Sequence, residues 1–351
     1  MDGRNRSLHC IIPPFILEKM AQSPDPDLRR WALDTITASA EARAIRRTLA
    51  AVGAMAAVPS PAGKKHRLIY DMKNRPPFHL SGDLVRSEGD PKSTDPAVNE
   101  AYTYSGYTYD FYLKIFGRNS LDGRGMSLIS SVHVGINYNN AFWNGEQMAY
   151  GDGDGKVFRR FTRSLNVVGH ELTHGVVTHT CNLEYQDEPG ALNEHFADVM
   201  GSLLQQWRKK QTVAKANWLI GDDILIKAPT RKALRSLAAP GTAYQNDPDI
   251  GSDPQPAHLK DKYRGTADYG GVHINSGIPN HAFYLAAMKI GGQAWSKTGL
   301  IWYKTLLALT QTSRFIDAAV TAYRIAGTEY GSGSREQKAV KEAWRAVGIS
   351  V

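Results

Sequence analysis

The sequence is short of cysteine and of long hydrophobic runs. Among 351 residues only Cys10 and Cys181 are cysteines, so at most one disulfide can form and a disulfide-rich scaffold is excluded. No window approaches the 18 uncharged apolar residues of a transmembrane helix. The first residues, MDGRNRSLHCIIPPF, carry no apolar run typical of a secretory signal. We therefore expect no membrane partner and no recognisable signal peptide.

The composition is otherwise that of a globular protein. Hydrophobic residues make up 42% and charged residues 22%, which excludes disorder as the main state. Lysine and arginine exceed aspartate and glutamate by 42 − 34 = 8. A basic surface can bind nucleic acid, but the chain has no basic, aromatic-lined motif for that purpose. We therefore expect no nucleic-acid partner, and the length suggests two to three domains.

An N-terminal segment and a linker precede the main body. Residues 23–26, Ser-Pro-Asp-Pro, are typical of a helix start. Apolar residues then recur every three or four positions, which predicts a helix to about residue 48. Residues 51–65, AVGAMAAVPSPAGKK, are small and contain proline and glycine. Such a stretch is typical of an exposed linker that proteases cut.

The next hundred residues, 66–165, are predicted to be rich in strands. Aromatic and β-branched residues between turn signals indicate strands at 68–70, 107–111 and 131–138, although 98–115 also has helical character. Glycines and aspartates at 151–155 predict a sharp turn. Beyond residue 164 the pattern is helical, with a long Pro-, Asp- and Gly-rich loop at 237–266. The predicted helices cover 167–179, 191–207, 279–289, 297–309 and 315–326.

The sharpest chemical signal is His-Glu-Leu-Thr-His at 170–174. On a helix, residues four apart share one face, so both imidazoles can reach one metal ion. Glu171 then lies beside that ion and suits a base acting on water. A catalytic zinc usually has three protein ligands, so a third ligand must come from elsewhere.

The segment GALNEHFAD at 190–198 offers that ligand. Glu194 follows His174 by 20 residues, enough for a turn and a second helix. Asp198, one turn further on, can accept a hydrogen bond from a ligand imidazole. His195 and His179 are competing ligand candidates.

Hydrolysis of a carbonyl also needs a hydrogen-bond donor for the developing oxyanion. His273 is one candidate, with Asp268 placed to orient it and raise its basicity. Tyr185 is a second candidate, and it could equally be a core residue.

Taken together, the motifs resemble those of the thermolysin family of zinc metalloendopeptidases. The resemblance covers about residues 66–351 and rests on five motifs. They are NNAFWNGEQMAYGDGDG (139–155), GHELTHGV (169–176), GALNEHFAD (190–198), LRS (234–236) and GGVHINSGIPN (270–280). The N-terminal CIIPPFIL (10–17) resembles the protealysin-like branch, which has a short propeptide.

The resemblance implies a role for each matching residue. His170, His174 and Glu194 would bind zinc, Glu171 would activate the zinc-bound water, and Asp198 would hold His170. Tyr185 and His273 would stabilise the oxyanion, with Asp268 orienting His273. The residues implied to bind the substrate backbone are Asn140, Ala141, Trp143 and Arg235.

The resemblance also implies a specificity pocket. Its matching positions are Phe158, Phe161, Val167, Ile220, Ile224 and Leu234. All six are apolar, so the enzyme would cut on the N-terminal side of large hydrophobic residues. Phe161 is bulkier than the leucine expected there and would shrink the pocket.

Calcium sites of the family are largely missing. The positions matching a double site read Asn166, Gln205, Asn217, Leu219 and Asp222, and Lys232 replaces an aspartate of a second site. Calcium needs six or more oxygen ligands, several of them charged. We therefore expect weak or absent calcium dependence.

Cys10 has two possible roles. Its thiolate could be an inhibitory zinc ligand in the zymogen, or its side chain could simply pack the propeptide as a buried cysteine.

The fold class implied is α+β, a two-lobed thermolysin-like metalloprotease with the zinc site in the cleft. The expected parts are a propeptide (1–50), a cleavable linker (51–65), a β-rich lobe (66–180) and a mainly helical lobe (181–351). The expected function is that of a zinc-dependent endopeptidase made as a zymogen and inhibited by its own propeptide. The alternative is a catalytically inactive zinc-fold protein that binds peptides. We expect a monomer that acts on peptides or proteins and is secreted by an unidentified route, with a cytoplasmic location as the alternative.

Overall fold

The computed structural model describes residues 8–51 and 64–351. Most of the predicted linker, residues 52–63, lies outside the described residues. The strands are β1 (His9–Cys10), β2 (Arg67–Asp71), β3 (Asp83–Ser87), β4 (Leu128–Val132), β5 (Ala141–Trp143), β6 (Met148–Tyr150), β7 (Leu219–Ile220) and β8 (Arg235–Ser236). The helices are α1 (Pro14–Met20), α2 (Pro26–Ala51), α3 (Pro96–Phe116), α4 (Leu165–Thr178), α5 (Asp187–Lys209), α6 (Ala267–Asn275), α7 (Gly277–Ile290), α8 (Lys297–Ala308), α9 (Phe315–Tyr330) and α10 (Arg335–Ala346).

Six of the strands form one mixed sheet in the order β1-β5-β6-β4-β2-β3. The pairs β2–β4 and β4–β6 are parallel, and the pairs at the two sides of the sheet are antiparallel. Strand β1 comes from the N-terminal segment and covers β5, which would otherwise be the edge of the sheet. A short antiparallel ribbon of β7 and β8 lies apart from this sheet.

The prediction of a strand at 107–111 is wrong, because these residues belong to helix α3. The side chain of Asp95 accepts a hydrogen bond from the Ala97 amide at 2.7 Å, and a proline occupies the first turn, so the helix start is well capped. Buried side chains then recur every three or four residues along α3. This spacing buries one helix face, and it outweighs the β-propensity of the aromatic residues.

The other predicted elements are mostly confirmed. The strand at 68–70 lies within β2, and the helix at 28–48 lies within α2. The five helices predicted beyond residue 164 are present as α4, α5, α7, α8 and α9. The strand predicted at 131–138 is shorter than expected because β4 ends at Val132 and His133 has a left-handed backbone with φ of 53°. Residues 237–266 form an irregular loop with one 3₁₀ turn, Leu259–Asp261.

Helices α4 and α5 pack against each other between the sheet and the C-terminal helices. All residues of α4 are buried, which is why its sequence is apolar around the ionisable groups. A continuous apolar core joins the N-terminal segment, the sheet and the helical lobe. In the part of the chain that the structure describes, no helix is both long and apolar enough to cross a membrane.

Candidate active site

Three ionisable side chains converge between α4 and α5. The Nε2 atoms of His170 and His174 are 3.0 Å apart, and each lies 3.4 Å from a carboxylate oxygen of Glu194. All three side chains are fully buried. In a tetrahedral site with zinc–ligand distances of about 2.0–2.1 Å, neighbouring ligand atoms are about 3.3 Å apart. The spacing of the three groups therefore fits one zinc ion.

The hydrogen bonds of the two imidazoles fix which nitrogen faces the cluster. His170 Nδ1 lies 2.9 Å from Asp198 Oδ1, and His174 Nδ1 lies 2.9 Å from Asn193 Oδ1. Both partners are acceptors, so each Nδ1 donates a hydrogen bond. In the neutral form of the two rings, each Nε2 then presents a lone pair, and the two lone pairs meet the buried carboxylate. Such a set of donor atoms calls for a cation.

Asp198 is held by a buried polar network. It accepts two hydrogen bonds of 2.9 Å from Arg235 and one of 2.9 Å from Asn280. Burial opposes ionisation of Asp198, but the charges and hydrogen bonds of Arg235 and His170 together outweigh this effect and lower the pKa of Asp198 below its usual value. The carboxylate therefore stays ionised and can fix the ring of His170.

The competing ligand candidates lie elsewhere. His195 Nδ1 is 2.8 Å from Asn280 Oδ1, and Trp302 donates to His195 Nε2 at 2.9 Å. Both ring nitrogens of His195 are thus engaged within the helical core. His179 is at the C-terminal end of α4. Neither belongs to the group of converging ligand atoms found among the described residues.

Glu171 lies next to the cluster without being part of it. Its Oε2 accepts a hydrogen bond of 3.0 Å from the Trp143 amide, while its Oε1 has no hydrogen-bond partner among the described residues. Burial, followed by the negative charge of Glu194, raises the pKa of Glu171 well above its usual value. A buried carboxylate of this kind is suited to taking up and releasing a proton.

On the other side of the cluster, His273 and Tyr185 come together. His273 Nε2 lies 3.2 Å from the Tyr185 hydroxyl, and that hydroxyl donates to Glu194 Oε1. His273 Nδ1 lies 2.6 Å from Asp268 Oδ1. Burial by itself would lower the pKa of His273, but the carboxylates of Glu194 and Asp268 raise it to about 9. The two carboxylates therefore favour the protonated ring, which can donate a hydrogen bond.

The backbone around Asp268 explains how it reaches His273. Residues 268–271 all have positive φ, between 52° and 81°. Glycine suits this conformation at 270 and 271, but Asp268 and Tyr269 adopt it at a cost. The turn brings Asp268 Oδ2 within 2.8 Å of the His273 amide, so one carboxylate caps the helix and orients the ring.

One residue implied to bind substrate, Asn140, lines a groove together with Tyr185 and His273. Asn140 directly precedes β5, which contains Ala141 and Trp143, and Arg235 lies in β8. The six pocket residues are buried, and several are adjacent. The rings of Phe158 and Phe161 are 5.8 Å apart, and the Leu234 amide donates to the Ile220 carbonyl at 2.9 Å.

The N-terminal segment lies across this groove. Strand β1 pairs with β5, and the ring of His9 lies against that of His174 with centroids 4.5 Å apart. The Cys10 side chain instead belongs to a small apolar cluster with Tyr138 and Phe142. Burial raises the pKa of the Cys10 thiol to about 12.

The positions that match calcium ligands in the family hydrogen-bond to one another. Asn166 Nδ2 donates to Gln205 Oε1 at 3.1 Å, and Asn217 Nδ2 donates to Asp222 Oδ2 at 2.9 Å. The Gly221 amide donates to Asn166 Oδ1 at 3.0 Å. The side-chain amides at these positions are thus hydrogen-bonded within the cluster.

Three residues at the site were not assigned a role from the sequence. Asn193 orients His174, Asn280 holds Asp198, and His9 covers His174. Asn193 directly precedes Glu194, the proposed ligand, and this was the only signal available from the sequence. Asn280 and His9 are distant in sequence from the residues that they contact, so local spacing could not identify them.

The chain is similar to known proteins over most of its length. Residues 62–178 match the family described as "Thermolysin metallopeptidase, catalytic domain". Residues 181–349 match "Thermolysin metallopeptidase, alpha-helical domain". The chain is 42% identical to an "Extracellular metalloprotease" of Pectobacterium carotovorum subsp. carotovorum over 99% of this chain and 98% of that protein.

Two further similarities cover much of the chain. It is 48% identical to "Protease PrtS" of a Photorhabdus species over 82% of this chain and 77% of that protein. The solved structure of the precursor of protealysin, a metalloproteinase from Serratia proteamaculans, superposes with a TM-score of 0.88 at 45% identity. That superposition covers 97% of this chain and 99% of the other.

Proposed function

We propose a function from one premise: the chain belongs to the thermolysin family of metallopeptidases. It is a zinc-dependent endopeptidase made as a zymogen. The observation that carries this proposal is the convergence of two imidazole lone pairs and the Glu194 carboxylate beside Glu171. A bound zinc ion polarises a carbonyl group and makes a coordinated water nucleophilic near neutral pH.

The chain's own residues supply the proton transfers. Glu171 takes the proton from the attacking water and passes it to the leaving nitrogen. The amide of Trp143 holds Oε2 of Glu171, so Oε1 remains available for this transfer. Protonated His273 and the Tyr185 hydroxyl donate to the developing oxyanion, and Asp268 keeps the His273 ring oriented.

The apolar pocket sets the preferred bond. Its lining of buried aliphatic and aromatic side chains favours Leu, Ile or Phe directly after the cut. Asn140, Ala141 and Trp143 bind an extended substrate at the edge of the sheet, and Arg235 binds a substrate carbonyl. The substrates are peptides or proteins.

The N-terminal segment, residues 1–50, is the propeptide. Its strand β1 occupies the sheet edge that a substrate would use, and its helices dock on the catalytic body. The Ser39 and Tyr138 hydroxyls are 2.7 Å apart, and the backbone amide of Asn139 donates to Thr35 Oγ1 at 3.1 Å. Cutting in the 51–65 linker would free the site. The monomeric state and secretion belong to the proposal, the latter supported by the extracellular metalloprotease of Pectobacterium.

The test compares the matured chain with its Glu171→Gln variant. We expect casein hydrolysis that phenanthroline abolishes and that Glu171→Gln lowers by at least about 10²–10⁴-fold. Elemental analysis should give one zinc per chain in both proteins. Glu184→Gln, at an exposed position outside the site, is the matched control and should retain full activity. One zinc per chain without hydrolysis would instead favour the inactive peptide-binding alternative.

A further inference from the structure

The propeptide crosses the groove in an extended conformation that is antiparallel to β5. His9 is opposite Trp143 and Cys10 is opposite Phe142. The Ile11 amide continues this pairing and donates to the Ala141 carbonyl at 3.2 Å. The contacts are made by backbone groups, so they define a register between the propeptide and the sheet edge.

The Cys10–Ile11 peptide bond lies beside the proposed catalytic groups. The Cys10 carbonyl oxygen is 3.0 Å from His273 Nε2, the proposed oxyanion donor. His273 Nε2 is itself only 3.5 Å from Glu194 Oε1. The carbonyl of Cys10 is therefore placed where a carbonyl undergoing attack is expected.

The residues after this bond contact the groups proposed to hold a substrate on its C-terminal side. Arg235 Nη1 donates to the Ile11 carbonyl at 3.2 Å. The Ile12 amide donates to Asn140 Oδ1 at 3.1 Å. Ile11 and Ile12 are both almost completely buried. Four backbone contacts on the two sides of one peptide bond thus agree on one register.

The fold excludes the neighbouring bonds that satisfy the same side-chain preference. Phe15, Ile16 and Leu17 also follow bonds that a hydrophobic pocket could select, but they lie in helix α1. A helical backbone cannot pair with a sheet edge, because its amides and carbonyls bond within the helix. The Ile11–Ile12 bond is one residue out of register with His273.

We propose that the propeptide is bound as a substrate and that the Cys10–Ile11 bond is a self-cleavage site of this chain. The inference rests on the proposed endopeptidase function. Hydrolysis consumes one water: its oxygen bonds to the Cys10 carbonyl carbon, the C–N bond breaks, and Ile11 leaves as a free amine. Glu171 transfers one proton of the water to that nitrogen. The second proton leaves as the new Cys10 carboxyl ionises, and it converts the amine of Ile11 to an ammonium group.

The docking of the propeptide makes this cut distinct from cleavage in the linker. Residues after Ile11 continue into α1 and α2, which pack on the catalytic body. The Lys156 ammonium also lies 2.7 Å from the Asp25 carboxylate. The chain cut at Cys10–Ile11 therefore keeps most of the propeptide in place and loses only residues 1–10.

Two measurements test the proposal. In the first, the full-length chain is incubated with zinc and sampled by intact mass spectrometry and N-terminal sequencing. We expect a form that begins at Ile11, at a rate independent of protein concentration, and no such form in Glu171→Gln. In the second, the full-length Ile11→Asp variant is incubated and sampled in the same way. We expect it to lose the cut before residue 11 by at least 10-fold, because an ionised side chain does not fit the buried site that Ile11 occupies.

The outcomes separate this inference from the proposed function. If the matured chain hydrolyses casein but the full-length chain is cut first at another bond within residues 8–17, the register is wrong. The inference also fails if no form beginning at Ile11 appears by the time half of the chain has matured. Absence of casein hydrolysis after linker cleavage would contradict the endopeptidase itself. Full-length Glu18→Gln, at an exposed position of α1, is the matched control and should keep the cut at this bond.

Discussion

The ring of His9 lies nearly parallel to the ring of His174, at an interplanar angle of 16° and a centroid distance of 4.5 Å. His9 is also edge-on to Tyr185, with centroids 4.6 Å apart. Successive side chains of a strand point to opposite faces, so His9 faces the proposed zinc ligands while Cys10 faces the apolar cluster. The propeptide residue that covers the proposed zinc ligands is thus His9. The sequence had suggested its neighbour, Cys10, for this role.

The inhibition of the active site by the propeptide should depend on the His9 ring more than on the Cys10 thiol. Aromatic contacts of this kind contribute about 0.5–1.5 kcal/mol. We therefore expect His9→Ala to increase the rate of maturation by about 2- to 10-fold, measured by gel densitometry of the full-length chain. Cys10→Ser, the matched control at the next position, should retain latency. The opposite pattern, with latency lost only in Cys10→Ser, would support zinc ligation by the thiol.

The specificity pocket should respond to the size of residue 161. Phe161 is fully buried and its ring lies beside that of Phe158. Phe161→Leu enlarges the pocket, so the ratio of kcat/KM for substrates with Phe rather than Leu after the cut should rise about 10-fold. This corresponds to the lower part of the 1–3 kcal/mol range for a methylene in a pocket. Phe78→Leu, at a position that is 39% exposed, should leave the ratio unchanged.

Asn193 should contribute to zinc affinity through His174. Its Oδ1 accepts the His174 Nδ1 hydrogen, and its Nδ2 donates to the Leu183 carbonyl at 3.3 Å, which fixes the amide orientation. Asn193→Ala removes this acceptor and should weaken zinc binding by about 10- to 100-fold. Competition with a zinc chelator in the Glu171→Gln background measures the affinity without self-digestion. An unchanged affinity would show that the packing of α4 alone orients the ring.

Calcium should have little effect on stability. The amides of Asn166, Gln205 and Asn217 hydrogen-bond within their own cluster, and Asp222 is the one carboxylate among the matching positions. Millimolar calcium should therefore raise the melting temperature by less than about 1 °C, as expected for weak ligand binding. Magnesium at the same ionic strength is the control. A calcium-specific rise of several degrees would overturn the prediction.

The stability should depend on pH through His133. Its two ring nitrogens each lie 2.7 Å from a carboxylate, that of Asp95 and that of Asp152. The hydrogen bond with Asp152 is the largest effect, and it raises the pKa of His133 to about 9 although burial opposes the rise. Because the folded pKa exceeds the unfolded value near 6.5, the stabilisation is complete below that value and is lost as the pH rises through about 9.

The comparison variant is His133→Asn, since asparagine tolerates the left-handed backbone of this position. At pH 6, the free energy of unfolding of the wild type should exceed that of the variant by about 1–2 kcal/mol. This is less than the full value of the pKa shift because His133 and the two carboxylates are partly exposed. Urea denaturation at pH 6 and pH 10, in the Glu171→Gln background, measures this difference. A difference that does not shrink with rising pH would contradict the assignment.

The sequence predicted the parts of the site that depend on local geometry. His170 and His174 share a helix face because of their spacing, and Asp198 follows Glu194 by one turn. The helices of the C-terminal lobe were likewise indicated by their apolar periodicity. Side-chain contacts between distant segments were available only through the family resemblance.

Elsewhere the tertiary structure overruled the local pattern. Aromatic residues at 107–111 have strand propensity, yet they belong to α3 because a capped helix with a buried face packs better there. Local sequence also could not decide the role of His195. It was a ligand candidate by its residue type, but in the structure Asn280 and Trp302 bind both of its ring nitrogens.

What the sequence determined by itself, then, is a helix with two histidines on one face, a neighbouring glutamate, and an N-terminal segment followed by a Pro- and Gly-containing stretch. Only the tertiary structure decided that His9 rather than Cys10 faces the ligands and that Cys10–Ile11 is the bond beside His273. The reason is physical: spacing along a helix follows from a local repeat, whereas the register of a strand on a distant sheet edge depends on the packing of the whole chain.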